Sequence, residues 1–378
     1  MIPLSLVWAA LPLLTSFLVC ALMIRLGPKD APDGGRKTQA RPVPSAGGLG
    51  VLAGISAALG AASLLLPGGL GNPLITLAQS ALAGPMLLVL IAGLLGFADD
   101  KLNLPAGRKL LVLAAASLFA AIYGPHVTQL WLPALGEAGL ALPFVIGIVC
   151  AALWLFVMAN AVNFMDGANG IAMGSSAILL AALAVIVAPP PGAAPGILFL
   201  LMIAAVAALC GFLAWNLAGR LYAGDTGSLA IGALIGGAGL SVAVIHSAWV
   251  PATLVLPILI DVFLTLIWRA RLRRPLMQAH RDHAYQLFLR AGWSHLKVAG
   301  LWWGFCLITS LAAITGARQG AGTAFGLFAI LLGGGVAVFR SGQRAQRALG
   351  EGGIGFGLLH GRLSGPRRAD QVHGMGQV

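Results

Sequence analysis

Only eleven acidic residues occur in this 378-residue chain, and five of them, Asp99, Asp100, Asp166, Asp225 and Asp261, stand inside or at the ends of long apolar stretches. A carboxylate beside hydrocarbon is costly, so these are functional-site candidates. Four polar clusters surround them. GFADDKLN (Gly96–Asn103) follows two adjacent carboxylates with Lys101 and Asn103, and NAVNFMDGANG (Asn160–Gly170) spaces Asn160, Asn163 and Asp166 by three, with Gly167 next. GDTGSLAIG (Gly224–Gly232) sets Asp225 among glycines, and HRDHAYQ (His280–Gln286) brings His280, Arg281 and His283. Carboxylates for a divalent cation, alongside many Lys and Arg, suit chemistry that brings two phosphates together.

Each cluster also has a plainer reading. Asp–Asp–Lys could be a solvated helix end, NFMDG a turn, and GDTGS a helix start capped by Asp225 or Thr226. His280 and His283 could form a metal pair, but the arginines around them repel cations. The conjunction of the four is the stronger signal. Residues i, i+3 and i+6 of a helix lie roughly on one face, so Asn160, Asn163 and Asp166 converge if the helix persists that far.

The elements that must hold these clusters are membrane helices. Hydrophobic residues make up 59% of the chain and charged ones 9%, with a mean hydropathy of +0.93. This composition describes a polytopic membrane protein, all-α because backbone groups in lipid must pair internally and no barrel-like alternation is present. Eleven transmembrane helices are expected, centred near Leu14, Ser56, Leu90, Ala116, Trp154, Leu180, Ala205, Leu234, Leu259, Leu307 and Ile330. The first is expected to be an uncleaved span rather than a secretory signal. The 23 Lys and Arg fall into alternate loops, which by the positive-inside rule places the amino terminus outside and all four polar clusters in cytoplasmic loops. The net charge of +12 is first a topology signal. A single integral-membrane domain over 1–339 and a basic, disordered cytoplasmic tail over 340–378 are expected, with Cys20, Cys150, Cys210 and Cys306 as packing residues. No soluble domain or nucleic-acid module is visible.

The motifs together resemble those of the polyprenyl-phosphate N-acetylhexosamine-1-phosphate transferases (glycosyltransferase family 4). The resemblance rests on GFADDKLN, NAVNFMDG, GFLAWN (Gly211–Asn216) with GDTGS, DVFLTLIWR (Asp261–Arg269), HRDHAYQLFLRAGWSH and the first loop RKTQARPVPSAGGLG (Arg36–Gly50), and it runs from the first span through the tenth. It implies transfer of an N-acetylhexosamine 1-phosphate from a UDP-sugar to polyprenyl (undecaprenyl) phosphate, with release of UMP, at the cytoplasmic face of the bacterial inner membrane. The HRxHxYQ form resembles the branch that starts O-antigen or capsular glycans. Asp225 is then the ligand of Mg²⁺, or of Mn²⁺. Asp99 and Asp100 are base or phosphate organiser, and Lys101 and Lys109 offset anionic repulsion. Asn160, Asn163 and Asp166 read the nucleotide, and His280, Arg281 and His283 clamp the diphosphate. Asn103 and Gly167 complete the expected substrate-binding set, and members of such a family can form homodimers. A secondary transporter, the rival class, would place its polar groups near the bilayer midplane and show internal repeats.

Overall fold

The computed structural model describes residues 6–30, 41–65, 72–275 and 282–348. Helices dominate: α1 (Leu11–Leu26), α2 (Gly47–Leu65), α3 (Pro73–Gln79), α4 (Ala83–Leu102), α5 (Ala106–Ile122), α6 (Phe144–Met165), α7 (Ile171–Ile186), α8 (Ile197–Asn216), α9 (Gly224–Ile245), α10 (Trp249–Leu254), α11 (Leu256–Arg271), α12 (Ala284–Arg290), α13 (His295–Gln319) and α14 (Ala321–Ala348). The strands among the described residues form two short antiparallel ladders, β1 (Lys29–Asp30) with β2 (Val43–Pro44) and β3 (Gln129–Leu130) with β4 (Leu140–Ala141). The chain is an all-α, multi-pass membrane protein.

By length and composition, eight of the described helices suffice to cross a membrane, not the expected eleven. They are α1 with the π-helical turn Leu6–Ala10 that precedes it, α2, α4, α6, α8, α9, α13 and α14. The remaining three expected spans fall on shorter helices. These are α5 with 17 residues, α7 with 16, and the α10–α11 pair, interrupted at Val255 just before Pro257. A rise of 1.5 Å per residue gives a 16-residue helix about 24 Å, against roughly 30 Å of hydrocarbon. The expected boundary between residues 339 and 340 falls inside α14, which continues to Ala348; residues 349–378 of the expected tail lie outside the described residues.

Helix α9 is the centre of the bundle. Its span is 83% buried, packed by α2, α4, α6 and α7, whereas that of α14 is 6% buried and lies at the rim. Lipid is as apolar as leucine, so helices associate here through close backbone approach and dispersion rather than through escape from water. The glycines make that approach geometric. A Cβ on Gly96 of α4 would stand 2.3 Å from the Asp225 carbonyl, and one on Gly48 of α2 would stand 2.2 Å from the Gly227 nitrogen. Either substitution would force apart the helix ends that carry the polar clusters.

Candidate active site

Helix ends from distant parts of the chain meet at the amino terminus of α9. Gly47 and Gly48, opening α2, donate backbone hydrogen bonds to the Tyr222 and Ala223 carbonyls, both at 2.9 Å, so the start of α2 lies along the segment that leads into α9. Gly224 has φ +69°, and a Cβ there would come 2.1 Å from the Ser45 carbonyl and 2.6 Å from the Asp100 carboxylate. Only glycine fits this turn. Asn216, ending α8, accepts from Gly170 N at 2.7 Å and donates to the Leu221 carbonyl at 2.9 Å, joining two further loops.

Successive residues of a helix point about 100° apart, and the paired carboxylates accordingly have different partners. Asp100 Oδ1 accepts from Asp225 N at 2.9 Å, while its Oδ2 accepts from Thr226 N at 3.1 Å and from the Thr226 hydroxyl at 2.8 Å. It thus caps α9 from another helix. The plainer reading of GDTGS, with Asp225 or Thr226 as the cap, gives way to this cross-helix cap, and Ala223 at the cap position has no side-chain acceptor. Asp99 accepts from Leu104 N at 2.9 Å and pairs through Oδ2 with Lys109 Nζ at 2.9 Å. The same ammonium reaches Asp225 Oδ2 at 2.5 Å, while Asn163 Nδ2 donates to Asp225 Oδ1 at 2.8 Å and to Ser228 Oγ at 2.9 Å.

The other expected site residues divide. Lys109 joins the carboxylates, but Lys101 is exposed and lies over the Phe97 ring, 4.3 Å from its centroid. Asn103 closes α4 in the left-handed region (φ 49°), so its placed role is the turn from α4 to α5. Helix α6 ends at Met165, and Asp166 follows in non-helical conformation. Asn160 donates back to the Phe156 carbonyl of its own helix at 2.8 Å, so of the three residues expected on one face, Asn163 alone bonds to Asp225. Asp166 is partly exposed, yet its carboxyl is pushed up to about 8 by desolvation, with the charges of Asp225 and Asp100 adding to it. Gly167 packs against Tyr285, whose hydroxyl would lie 2.1 Å from a Cβ there. His283 is buried, its ring 6.3 Å from that of Phe164. His280 and Arg281 lie outside the described residues.

Several structural participants had no role assigned from sequence. Ser228, Asn216 and Tyr285 sit inside recognised motifs, but their partners are 46 to 121 residues away in the chain for Asn216–Gly170, Ser228–Asn163 and Tyr285–Phe164, and no local spacing signals such pairings. Asp261 stood out as an acid in an apolar stretch and as the start of DVFLTLIWR, without a role.

The donor set fits a hard cation. Asp99 and Asp225 bring two carboxylates around one ammonium, Lys109, with Asp100 beside them on the first turn of α9, an excess of negative charge carried by oxygens. Among the described residues no group of three His, Cys, Asp or Glu is arranged to hold a metal ion. Mg²⁺ does not require such a group, since it is commonly held by one or two carboxylates, waters and substrate phosphates.

Residues 82–244, which include Asp99, Asp100, Lys109, Asn163, Asp166 and Asp225, match the model of glycosyl transferase family 4. The phospho-N-acetylmuramoyl-pentapeptide-transferase of Corynebacterium diphtheriae is 31% identical over 357 residues, covering 82% of this chain and 94% of that protein. The chain belongs to glycosyl transferase family 4. A second phospho-N-acetylmuramoyl-pentapeptide-transferase, from Mycolicibacterium smegmatis, is 32% identical over 362 residues, with 82% and 94% covered. The probable undecaprenyl-phosphate N-acetylglucosaminyl 1-phosphate transferase of Bacillus subtilis is 25% identical over 289 residues, 74% of each chain. As a member of this family the chain is an enzyme, a transferase of substituted phosphate groups.

Proposed function

We propose that this enzyme transfers N-acetylhexosamine 1-phosphate from a UDP-sugar to undecaprenyl phosphate at the cytoplasmic face of a bacterial inner membrane. The observation that carries the proposal is the Asp99–Lys109–Asp225 bridge, locked by Asn163, at the end of the buried helix α9. In the reaction an oxygen of the lipid phosphate attacks the sugar-bearing phosphorus, the bond from that phosphorus to the bridging oxygen breaks, and UMP leaves. Asp225, with Asp99, would hold Mg²⁺ or Mn²⁺, which supplies charge neutralisation for the diphosphate. Lys109 places a cation between the two carboxylates, so anionic phosphates approach a site that is not uniformly repulsive. A phosphate monoester has its second pKa near 6, so the lipid nucleophile is mostly ionised at neutral pH. Asp99 therefore orients rather than deprotonates it. Asp100 has its oxygens on the first turn of α9 and acts by holding Asp225 in place.

The nucleotide would lie along the Asn163–Gly167 loop. A carboxyl held near 8 is neutral at pH 7, and a neutral Asp166 presents one O–H donor and one carbonyl acceptor, matching the acceptor and N–H of a uracil edge. His283, with His280 and Arg281, would contact the diphosphate, the guanidinium as its cation. The basic loops argue for the cytoplasmic side.

A second donor, UDP-N-acetylmuramoyl-pentapeptide, is favoured by the relatives at 31% and 32% identity, whereas the HRDHAYQ loop favours a donor without peptide and a role in O-antigen or capsular glycans. Purified enzyme with Mg²⁺ and undecaprenyl phosphate, tested against radiolabelled UDP-N-acetylglucosamine, its N-acetylhexosamine analogues and UDP-N-acetylmuramoyl-pentapeptide, decides between them. Lipid-linked product from a UDP-N-acetylhexosamine supports the proposal. Product from the pentapeptide donor alone supports the second reading, and product from none refutes both.

A further inference from the structure

Helix α11 carries a buried polar stripe that the catalytic account leaves unused. Asp261, Thr265 and Arg269, each one turn apart, are 3%, 0% and 5% exposed. Such a stripe on an otherwise apolar helix demands partners, and the partners lie in the segment that leads to His283. Arg269 pairs with Asp282 through Nη1, and its Nη2 donates to the Pro275 carbonyl at 2.6 Å, so one guanidinium grips both ends of residues 275–282. One turn back, Thr265 donates to Asp261 Oδ1 at 3.5 Å. That oxygen also accepts from Ala284 N at 2.7 Å, and Oδ2 faces His283 Nδ1 at 3.7 Å. The next residue, Tyr285, is buried and donates to the Phe164 carbonyl at 3.1 Å, against Gly167. The histidine-bearing segment is therefore fastened between α11 and the loop that carries Asn163 and Asp166.

We propose that Asp261 is a positioning residue of this enzyme: its carboxylate docks the start of α12 and orients His283 toward the nucleotide-sugar diphosphate, with Arg269 as the second fastening. This rests on the transferase reading, in which His283 contacts the donor. The chemistry discriminates a carboxylate from an amide. Asn at 261 keeps one oxygen for Ala284 N but removes the anion facing the imidazole, so α12 stays capped while His283 loses its orienting charge. The consequence falls on the donor, because the lipid phosphate is oriented by Asp99 on the far side of Lys109.

The test compares Asp261→Asn, Asp261→Ala and the wild type in saturation kinetics for both substrates. The expected result is a rise of about tenfold in the UDP-sugar KM for Asp261→Asn, a greater rise for Asp261→Ala, and an unchanged KM for undecaprenyl phosphate. An unchanged donor KM, or an equal rise for both substrates, overturns the proposal. A second measurement does not need activity, so failure of the transferase reading leaves it standing. Limited trypsin cleavage between Arg271 and Arg290 should be at least about fivefold faster in Asp261→Ala than in the wild type. Asp225→Asn should be cleaved at the wild-type rate. Wild-type cleavage of Asp261→Ala refutes the docking role, and inactive wild-type enzyme with fast cleavage of this variant refutes only the reaction.

Discussion

Replacing Asp100 by Asn separates the two members of the carboxylate pair by stability rather than by activity. Asp100 receives three hydrogen bonds from the first turn of α9, two from backbone N–H groups and one from the Thr226 hydroxyl. The amide can keep its carbonyl toward Asp225 N, and its NH2 can turn the Thr226 hydroxyl into an acceptor. Thr226 N then faces an NH2 and loses its acceptor. A buried N–H left unpaired costs about 1–3 kcal/mol, and loss of a negative charge at a helix amino terminus adds about 0.3–1 kcal/mol. The expected destabilisation is about 1–4 kcal/mol. Asp99→Asn keeps an acceptor for Leu104 N, and Lys109 keeps its pairing with Asp225, so no charge is left without a partner and the cost stays at about 1 kcal/mol. Unfolding of both variants in mixed detergent micelles, followed by circular dichroism with increasing dodecyl sulfate, measures the difference. Equal stabilities for Asp100→Asn and the wild type, with activity lost, would place Asp100 in the chemistry and refute the capping argument.

The remaining predictions are briefer. Asp225→Asn should lower the rate about a thousandfold or more while leaving insertion and stability near wild type; near-normal turnover at ordinary Mg²⁺ would remove it as the metal ligand. Asp99→Asn should keep its rate deficit as pH rises past the second pKa of the lipid phosphate, because it orients an already ionised nucleophile; a deficit erased above about pH 8 would restore Asp99 as a general base. Asp166, with its folded pKa raised to about 8, binds its proton in the folded state where the unfolded carboxyl has lost it, so its contribution to stability falls as pH rises between the two values. UMP affinity of the metal-free enzyme should likewise fall as pH rises through about 8 and stay level in Asp166→Asn, whose amide retains donor and acceptor; parallel decline in both would exclude the neutral-acid contact. Cysteines placed at Ala193 and Ala106 in a cysteine-free background should react from opposite sides of the membrane, and labelling from one side would refute the orientation.

The residues that meet at the site were legible in the sequence because the signal is local: Asp99, Asp100, Asn163 and Asp225 announce themselves by type in apolar surroundings. Their division of labour was not. Which of Asp99 and Asp100 faces α9 depends on the rotation of α4 about its axis, and which of Lys101 and Lys109 serves the carboxylates depends on the turn at Asn103. The convergence expected of Asn160, Asn163 and Asp166 assumed a helix that continues, whereas α6 stops at Met165. Membrane character was equally plain, but the span count was not, since hydropathy does not reveal that α7 closes after 16 residues or that the chain breaks between α10 and α11.

The enclosure of α9 also sets an order of events during synthesis. Its main neighbours α2, α4, α6 and α7 precede it in the chain and α10 follows, so in amino-to-carboxyl synthesis those four are made before it. Until then Asp100 has no helix to cap and Lys109 has one carboxylate instead of two. The arrival of one glycine-lined helix therefore both fills the bundle and assembles the charges of the site.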